Sequence, residues 1–278
     1  MIDHLRHLAL AGVVAGGLGA AVAPQGASAA TLAALTGDKT LILIDEGRRR
    51  VTGRVDVRVP GRLAGIDVRA ADGLLYGVTT SGQIVTINPR TGAVRDRGDL
   101  TLPLPSGQVS VDINPVADAI RIVGANDDNL RHPFATGVTV ADADLTFPAP
   151  AAPPAPQTGP FGDELSPTIV AVAYTNTVPG ANVPGTTATQ LYDIDASPAA
   201  LYLQVPANAG TLSAVGRIGA RLGRSLGFDI AVDGRGRNRG LIVTDNRLLT
   251  IDVSGGAVVG NARVSGLNAA VRDLAALR

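Results

Sequence analysis

Residues 65–98 read GIDVRAADGLLYGVTTSGQIVTINPRTGAVRDRG, and they contain the clearest structural signal in the chain. Its apolar runs are separated by turns at Asp72-Gly73, at Ser81-Gly82 and at 89–92. Asp-Gly and Ser-Gly between apolar runs indicate β-hairpins, because glycine adopts a positive φ at no steric cost. The predicted strands are one that ends at Arg69, then 74–79, 83–88 and one from Ala93. Four short strands in a segment of this length are typical of one β-propeller blade.

The rest of the chain repeats this unit. The pattern Gly65-Ile66-Asp67-Val68 returns as Val111-Asp112-Ile113 and as Gly227-Phe228-Asp229-Ile230. The predicted units are 31–59, 65–98, 109–147, 168–219 and 226–264. Five units predict five blades. Six blades remain the alternative, because the segments 148–167 and 176–189 are long enough to blur the count.

The two ends of the chain complement each other. The first unit has room for only two or three strands, and the tail Val271–Leu277 resembles the opening strand of a unit with nothing after it. Pairing the terminal strands would close a ring and remove an exposed sheet edge. We therefore predict an all-β, five-bladed propeller as a single domain over 31–278. The proline-rich segment 148–160 is expected to be an exposed insertion between blades, with a partner-binding motif as the alternative.

Residues 1–30 have the features of a secretory signal peptide. An uncharged run at 8–23 follows a weakly basic start, and Ala27-Ser28-Ala29 fits a cleavage site. A retained transmembrane helix is the alternative, but this run is short and rich in glycine and alanine. We expect a protein that is secreted or periplasmic after cleavage near Ala29, with no membrane span in the mature chain.

Composition excludes several functions. The 24 basic and 24 acidic residues balance, aromatic residues make up 3%, and tryptophan is absent, which argues against nucleic-acid binding and carbohydrate stacking. No cysteine is present, so disulfides and thiolate sites are excluded. His132 is the only histidine after the signal peptide, and no Gly-x-Ser-x-Gly motif accompanies it. A Ser-His-Asp triad is therefore not expected, and no catalytic residue is predicted.

The acidic residues are compatible with one cofactor, calcium. Asp112, Asn114 and Asp118 surround an Asn-Pro pair and offer the oxygen ligands that Ca²⁺ prefers. The alternative, which we favour, is that they hold a tight turn by accepting backbone N–H groups. Aspartate recurs at the place of Asp112 in other units, which also favours a structural role. Residues 126–129 are rich in oxygens but lack calcium-loop spacing, so a polar hairpin is predicted there.

Three arginines recur at matching places in the units, namely Arg69, Arg121 and Arg131. They would either form an anion-binding ring in the central channel or pair with nearby Asp67, Asp118 and Asp128. Pairing is the favoured interpretation. The predicted binding residues are Asp112, Asn114, Asp118, Arg121 and Arg131.

The function predicted from these features is a non-catalytic binding propeller at or outside the cell envelope. It is expected to act as a monomer that contacts a partner protein or surface polymer through loops on one face. One alternative is a hydrolase of glycans or small esters, with two channel carboxylates from Asp112, Asp163, Glu164 and Asp229. Another is a calcium-stabilised structural protein.

Several motifs occur in one order along the chain. They are Gly65-Ile66-Asp67-x-Arg69, Asp112-x-Asn114-Pro115-x-Ala117-Asp118-x-Ile120-Arg121, Asn129-Leu130-Arg131, Ala171-x-Ala173-Tyr174-Thr175-Asn176, and Leu201-x-Leu203-Gln204-x-Pro206-x-Asn208-x-Gly210-Thr211-Leu212. Together they resemble the bacterial domain-of-unknown-function family 4394 over about 31–278. The resemblance implies an exported, propeller-like protein and implies no activity.

Overall fold

The structure is a computed structural model that describes residues 30–148, 160–161, 166–176, 189–223 and 225–277. Within these ranges the chain forms five four-stranded antiparallel sheets, arranged as the blades of a ring. Helical structure in the described part is confined to one 3₁₀ turn, Ala207–Ala209. The predicted all-β propeller with five blades is confirmed.

Each blade uses consecutive strands except the first. Blade 1 contains β1 (Thr31–Thr36), β2 (Thr40–Asp45), β3 (Arg50–Asp56) and the last strand, β20 (Val271–Leu277). Blade 2 contains β4 (Leu63–Val68), β5 (Leu75–Thr79), β6 (Gln83–Ile87) and β7 (Val94–Asp99). Blade 3 contains β8 (Val109–Asn114), β9 (Ala119–Gly124), β10 (Asn129–Pro133) and β11 (Val140–Ala141). Blade 4 contains β12 (Ile169–Tyr174), β13 (Leu191–Asp195), β14 (Ala200–Gln204) and β15 (Leu212–Arg217). Blade 5 contains β16 (Leu226–Val232), β17 (Asn238–Thr244), β18 (Arg247–Ile251) and β19 (Val258–Arg263).

The ring is closed by strands from opposite ends of the chain. Strand β20 pairs antiparallel with β1, so that Thr31 lies opposite Leu277 and Ala34 lies opposite Leu274. Blade 1 therefore takes its innermost strand from the C-terminal tail, as the terminal pattern predicted. This pairing covers the inner edge of β1, so that β20, like the first strand of every other blade, is the strand that borders the channel.

The turns of blade 2 form where glycine was expected to permit them. Gly73 has φ 70° and Gly82 has φ 91°, both in the region that L side chains rarely adopt. Each strand bound that was predicted for this blade lies within one residue of the observed bound. Local turn chemistry therefore sets the strand register here.

The apolar core lies between neighbouring blades. Leu35, Ile66 and Leu75 belong to one buried cluster between blades 1 and 2, and Leu201 and Phe228 belong to another between blades 4 and 5. Outer strand β19 alternates between half-buried and exposed residues. Burial therefore increases from the rim toward the channel, which favours apolar inner strands and patterned outer ones.

The innermost strands β20, β4, β8, β12 and β16 pack against their neighbours in this order around the central channel. Most of the proline-rich segment 148–160 lies outside the described residues, as do the predicted signal peptide (except Ala30) and 177–188. Among the described residues, no helix is long and apolar enough to cross a membrane.

Candidate functional site

Four of the five innermost strands carry a buried aspartate in the channel. They are Asp273 on β20, Asp67 on β4, Asp112 on β8 and Asp229 on β16, and none is more than 4% exposed. Asp67, Asp112 and Asp229 each bring a carboxylate oxygen within 4.8 Å of the other two. We call these four residues the channel aspartates.

Each channel aspartate fastens its own blade to the next one. Its carboxylate accepts a hydrogen bond from a backbone N–H group on the adjacent inner strand. The bonds run to Asp273 from Ile66 (2.8 Å), to Asp67 from Ile113 (2.8 Å), to Asp112 from Tyr174 (3.0 Å) and to Asp229 from Ala276 (2.6 Å). Blade 4 departs from the pattern, because Ala173 faces blade 5 as part of an apolar cluster.

The repeated Gly-x-Asp pattern has a steric cause. Gly65 and Gly227 precede Asp67 and Asp229 by two positions, on the two strands that flank β20. A Cβ on Gly65 would lie 2.5 Å from Oδ2 of Asp273, and one on Gly227 would lie 2.7 Å from the carbonyl carbon of Asp273. Both distances are shorter than van der Waals contact. The glycines therefore let β20 approach from both sides and place Asp273 beside the other channel aspartates.

Burial dominates the electrostatics of the channel. Desolvation raises the pKa of Asp67 well above its usual range, and the nearby Asp229 carboxylate raises it further. Desolvation also raises the pKa of Asp112 and of Asp273, each with an added contribution from neighbouring aspartates. The backbone N–H donors act in the opposite direction. Full ionisation of the cluster is therefore unfavourable unless a positive charge or shared protons compensate it.

Three of the predicted binding residues lie in one row across blade 3. Asp112 is directly opposite Arg121, and Arg121 is directly opposite Arg131, so the three side chains share one face of the sheet. This face packs on blade 4, because Asp112 accepts from the Tyr174 N–H and Arg121 Nη2 donates to Asn208 Oδ1 at 2.7 Å. The row runs from the channel into a blade interface.

Arg121 is the largest buried side chain of this row, at 2% exposed. Its Nη1 group donates to Asp142 Oδ2 at 2.8 Å and to Asn129 Oδ1 at 2.6 Å. Arg131 Nε donates to the same carboxylate at 3.1 Å. Asp142 therefore serves two arginines, and this buried network ties blade 3 to blade 4.

The anion-binding ring of arginines is not formed in the described residues. Arg69 donates through Nε and Nη2 to both carboxylate oxygens of Asp118, and also pairs with Asp72. The predicted pairing of the arginines with aspartates is therefore confirmed in kind. Arg69 pairs with Asp118, one of the predicted aspartates, rather than with Asp67 beside it in sequence. The predicted partners of Arg121 and Arg131 are wrong, because Asp142 pairs with both.

The predicted oxygen ligands around the Asn-Pro pair have separate partners. Asn114 Oδ1 accepts from the N–H groups of Val116 (2.9 Å) and Ala117 (2.8 Å), which is the turn-holding role. Asp118 binds Arg69 between blades 2 and 3, while Asp112 lies in the channel. The structure does not bring these three side chains together. Residues 126–128 connect β9 to β10, and Asn129 begins β10, so this segment forms the predicted hairpin.

His132 is buried between strands of blade 3. It is 4% exposed, and its Nδ1 lies 3.0 Å from the Thr139 hydroxyl. Burial lowers the pKa of its imidazole below the usual value. The enclosed imidazole therefore belongs to the buried interior of blade 3.

A cleft opens at the face of the ring where the inner strands end. Its volume is about 920 Å³, and the end residues Val68, Val232 and Leu277 help to line it. Blade 2 contributes Arg90, Arg95 and Arg97, and no described acidic residue lines it. We call it the arginine cleft. The cleft was not predicted from the sequence, because its residues come from three blades. The role of Asp273 in the channel was also missed: residues 271–277 were used only to place the closing strand, although Arg272-Asp273-Leu274 resembles the other channel motifs.

The fold and the channel aspartates define a five-bladed propeller whose blades are fastened by carboxylates. The model of the domain of unknown function DUF4394 matches residues 40–275, and the chain belongs to this family. Comparison with curated proteins found no match.

Many solved structures show similarity to this chain, and two of them are described here. One is a protein of unknown function from Bacteroides caccae, which is 10% identical, with 88% of this chain and 77% of that chain covered and a TM-score of 0.44. The other is an auxiliary nutrient binding protein from Bacteroides ovatus, which is 14% identical, with 77% of this chain and 56% of that chain covered and a TM-score of 0.44.

Proposed function

We propose that this protein is exported and serves as a non-catalytic binding propeller that holds an anionic polymer of the cell envelope in the arginine cleft. The observation that carries the proposal is the lining of the cleft. Three arginines contribute to it, and the described lining contains no carboxylate. Arginine binds carboxylate and phosphate groups through two parallel N–H donors, so such a surface favours an anionic ligand.

The arginines of the cleft are available to a ligand. Among the described residues, the ion pairs involve other arginines and leave Arg90, Arg95 and Arg97 without a carboxylate partner. The Nε of Arg97 donates to the Thr86 hydroxyl at 3.3 Å, and this bond leaves its two Nη groups free for a ligand. All three side chains are exposed. A negatively charged ligand can therefore bind without first displacing an internal ion pair.

The size and shape of the cleft favour an extended ligand. Its volume lies near the upper end of the roughly 300–1,000 Å³ found for small-molecule sites. It extends from the ends of the inner strands to the outer strand of blade 2, past Leu74, which is 42% exposed. A polymer segment would contact the arginines and the apolar floor at the same time.

The export part of the proposal is supported by the sequence. The charge-free run at 8–23 and the Ala27-Ser28-Ala29 motif are typical of a cleaved signal peptide. A protein without cysteine needs no disulfide in an oxidising compartment and must be held by its core. The buried blade interfaces supply such a core.

The geometry of the channel favours binding over hydrolysis by the channel carboxylates. Asp112 and Asp229 have oxygens within 4.8 Å and are almost completely buried, so a glycosidic bond would have no access to them. Glycoside hydrolases place such a pair about 5–9.5 Å apart on an open cleft. The other two carboxylates of the hydrolase hypothesis, Asp163 and Glu164, lie outside the described residues.

The experiment is equilibrium binding of residues 30–278 to fluorescently labelled polygalacturonate and polyphosphate, with neutral dextran as the reference. We expect binding to both polyanions, and weaker binding as the salt concentration rises, because screening reduces charge interactions. The ratio of the two affinities distinguishes a carboxylate from a phosphate ligand.

Matched variants locate the site. The double variant Arg95→Ala, Arg97→Ala is expected to weaken binding by at least about tenfold. Arg54→Ala with Arg263→Ala removes two exposed arginines from other outer strands and should leave affinity unchanged. Equal losses in both double variants, or no binding by the wild type, would reject the proposal.

A further inference from the structure

We propose that the four channel aspartates hold one calcium ion on the axis of the propeller. This site differs from the calcium site considered around the Asn114-Pro115 turn, because Asn114 accepts from backbone N–H groups there and Asp118 pairs with Arg69. It is independent of the arginine cleft and of the proposed function. Three features of the channel support it, namely the spacing of the oxygens, one unpartnered oxygen and the charge of the channel.

The spacing of the oxygens fits calcium. Two oxygens bound to the same ion lie no farther apart than twice the metal–oxygen distance. This limit is about 4.6–5.2 Å for Ca²⁺ and about 4.0–4.2 Å for Mg²⁺. Oxygens of Asp67, Asp112 and Asp229 lie within 4.8 Å of one another. A separation of up to 4.8 Å falls within the limit for calcium and extends beyond the limit for magnesium, so the spacing is compatible with a calcium ion shared by the three carboxylates.

Asp273 supplies a second and independent observation. Its side chain is completely buried, and its Oδ1 atom has no hydrogen-bond partner, while Oδ2 accepts from the Ile66 N–H. An unpartnered buried carboxylate oxygen is costly. The Oδ2 bond holds this carboxylate against the backbone of Ile66, which precedes Asp67 on β4, and the glycines on the two strands beside β20 make that approach possible. A cation in the channel would give Oδ1 the partner that the chain does not.

The charge of the channel also calls for a cation. The described ion pairs do not include Asp67, Asp112 or Asp273. Carboxylate oxygens are the ligands that hard divalent cations prefer, and the cluster offers no nitrogen or sulfur ligand. The competing explanation is that the carboxylates stay protonated and share protons with one another.

The test separates an ion from shared protons. The protein, as residues 30–278, is unfolded in guanidinium chloride with EDTA, so that a trapped ion is released, and is refolded with and without calcium chloride. We expect one calcium per chain by plasma mass spectrometry after gel filtration. We also expect the melting temperature to rise by roughly 5 °C or more when free calcium is about 100 times its Kd. Magnesium chloride should give a smaller rise.

Variants assign the ion to the channel. Asp112→Asn and Asp273→Asn are expected to lose the calcium-dependent rise in melting temperature. Asp193→Asn is the matched control, because Asp193 is equally buried but lies on the second strand of blade 4, near Arg121. It should keep both the ion and the response.

Three results would overturn the proposal. The first is a refolded wild type that contains no calcium and melts at the same temperature with and without it. The second is a magnesium response at least as large as the calcium response. The third is bound calcium that persists in folded Asp112→Asn and Asp273→Asn, which would place the ion elsewhere. Should those variants fail to fold, the calcium content and melting temperature of the wild type decide the question alone.

Discussion

Asp273 Oδ2 accepts a hydrogen bond from the backbone N–H of Ile66 at 2.8 Å, although the two residues lie 207 positions apart in the chain. The bond joins the closing strand to the first strand of blade 2 at the centre of the ring. Loss of β20 would expose the inner edge of β1 and remove one of the five strands that line the channel. We therefore predict that a chain ending at residue 270 has no cooperative thermal transition by circular dichroism. A chain ending at Leu277 is the control and should melt cooperatively.

The close approach at Gly65 predicts the effect of one methyl group. In Gly65→Ala, the added carbon would lie 2.5 Å from Asp273 Oδ2 and from the Val111 side chain. Such overpacking lowers the free energy of unfolding by about 1–3 kcal/mol. Gly219→Ala is the control, because nothing lies within 4 Å of its added carbon. Guanidinium denaturation should separate the two variants, and equal midpoints would show that the close packing around β20 is incorrect.

Arg121 is expected to resist even conservative replacement. Its guanidinium contacts Asp142, Asn129 and Asn208 at once, and a lysine ammonium has no planar fork to do so. We predict that Arg121→Lys lowers the free energy of unfolding by about 2–4 kcal/mol, since it disrupts a buried charge network. Arg54→Lys, on exposed strand β3, should be neutral. Calorimetry of both variants checks this, and a neutral Arg121→Lys would contradict the network.

The buried carboxyl group of Asp193 is expected to make the free energy of unfolding depend on pH. Both of its carboxylate oxygens are buried without a hydrogen-bond partner, and desolvation raises the pKa of this carboxyl well above 3.8, against a lowering by Arg121. Above about pH 4 the unfolded chain releases this proton more readily than the folded one, so the residue destabilises the fold increasingly as pH rises.

Asp193→Asn removes that penalty. We expect the free energy of unfolding of the variant to exceed that of the wild type by roughly 1 kcal/mol at pH 7 and to differ little from it near pH 3.5. Urea denaturation at both pH values measures this, with the exposed Asp99→Asn as the control. A variant that is less stable at pH 7 would show that the charge of Asp193 has a partner in solution.

The contact between Ala30 and Glu46 gives a prediction about the proposed signal-peptide cleavage. The backbone N of Ala30 lies 3.2 Å from Oε2 of Glu46, and Oε1 of Glu46 accepts from Arg239 at 2.7 Å. Cleavage after Ala29 would convert this amide into an ammonium group facing a carboxylate, which strengthens the contact. Intact-mass analysis of the protein recovered after the proposed export should therefore show a chain that starts at Ala30. A mature chain starting beyond Thr31 would contradict this, because it would lack part of β1.

Most of the fold could be predicted from short-range patterns. The Asp72-Gly73 and Ser81-Gly82 turns and the alternating strands are local signals, and the unpaired tail pattern from Val271 indicated how the ring closes. The ion pairs were not predictable in the same way. Arg121 binds Asp142, which directly follows β11, and Asn208 in blade 4. Proximity in sequence had suggested Asp118 as its partner. Packing between blades, which no local pattern encodes, decides these partners.

The candidate site shows the same division. Asp67, Asp112 and Asp229 stood out as a repeated position, yet repetition alone did not tell whether they faced a turn or the channel. The arginine cleft depends on how blade 2 lies beside the ends of β4, β16 and β20, which only the assembled ring reveals.

The most direct test of the binding function is amide hydrogen exchange of the protein with and without saturating polyanion. We expect slower exchange in the arginine cleft, at 73–75 and 88–97, with little change on the outer strands β15 and β19. Protection confined to those outer strands, with none at 88–97, would contradict it.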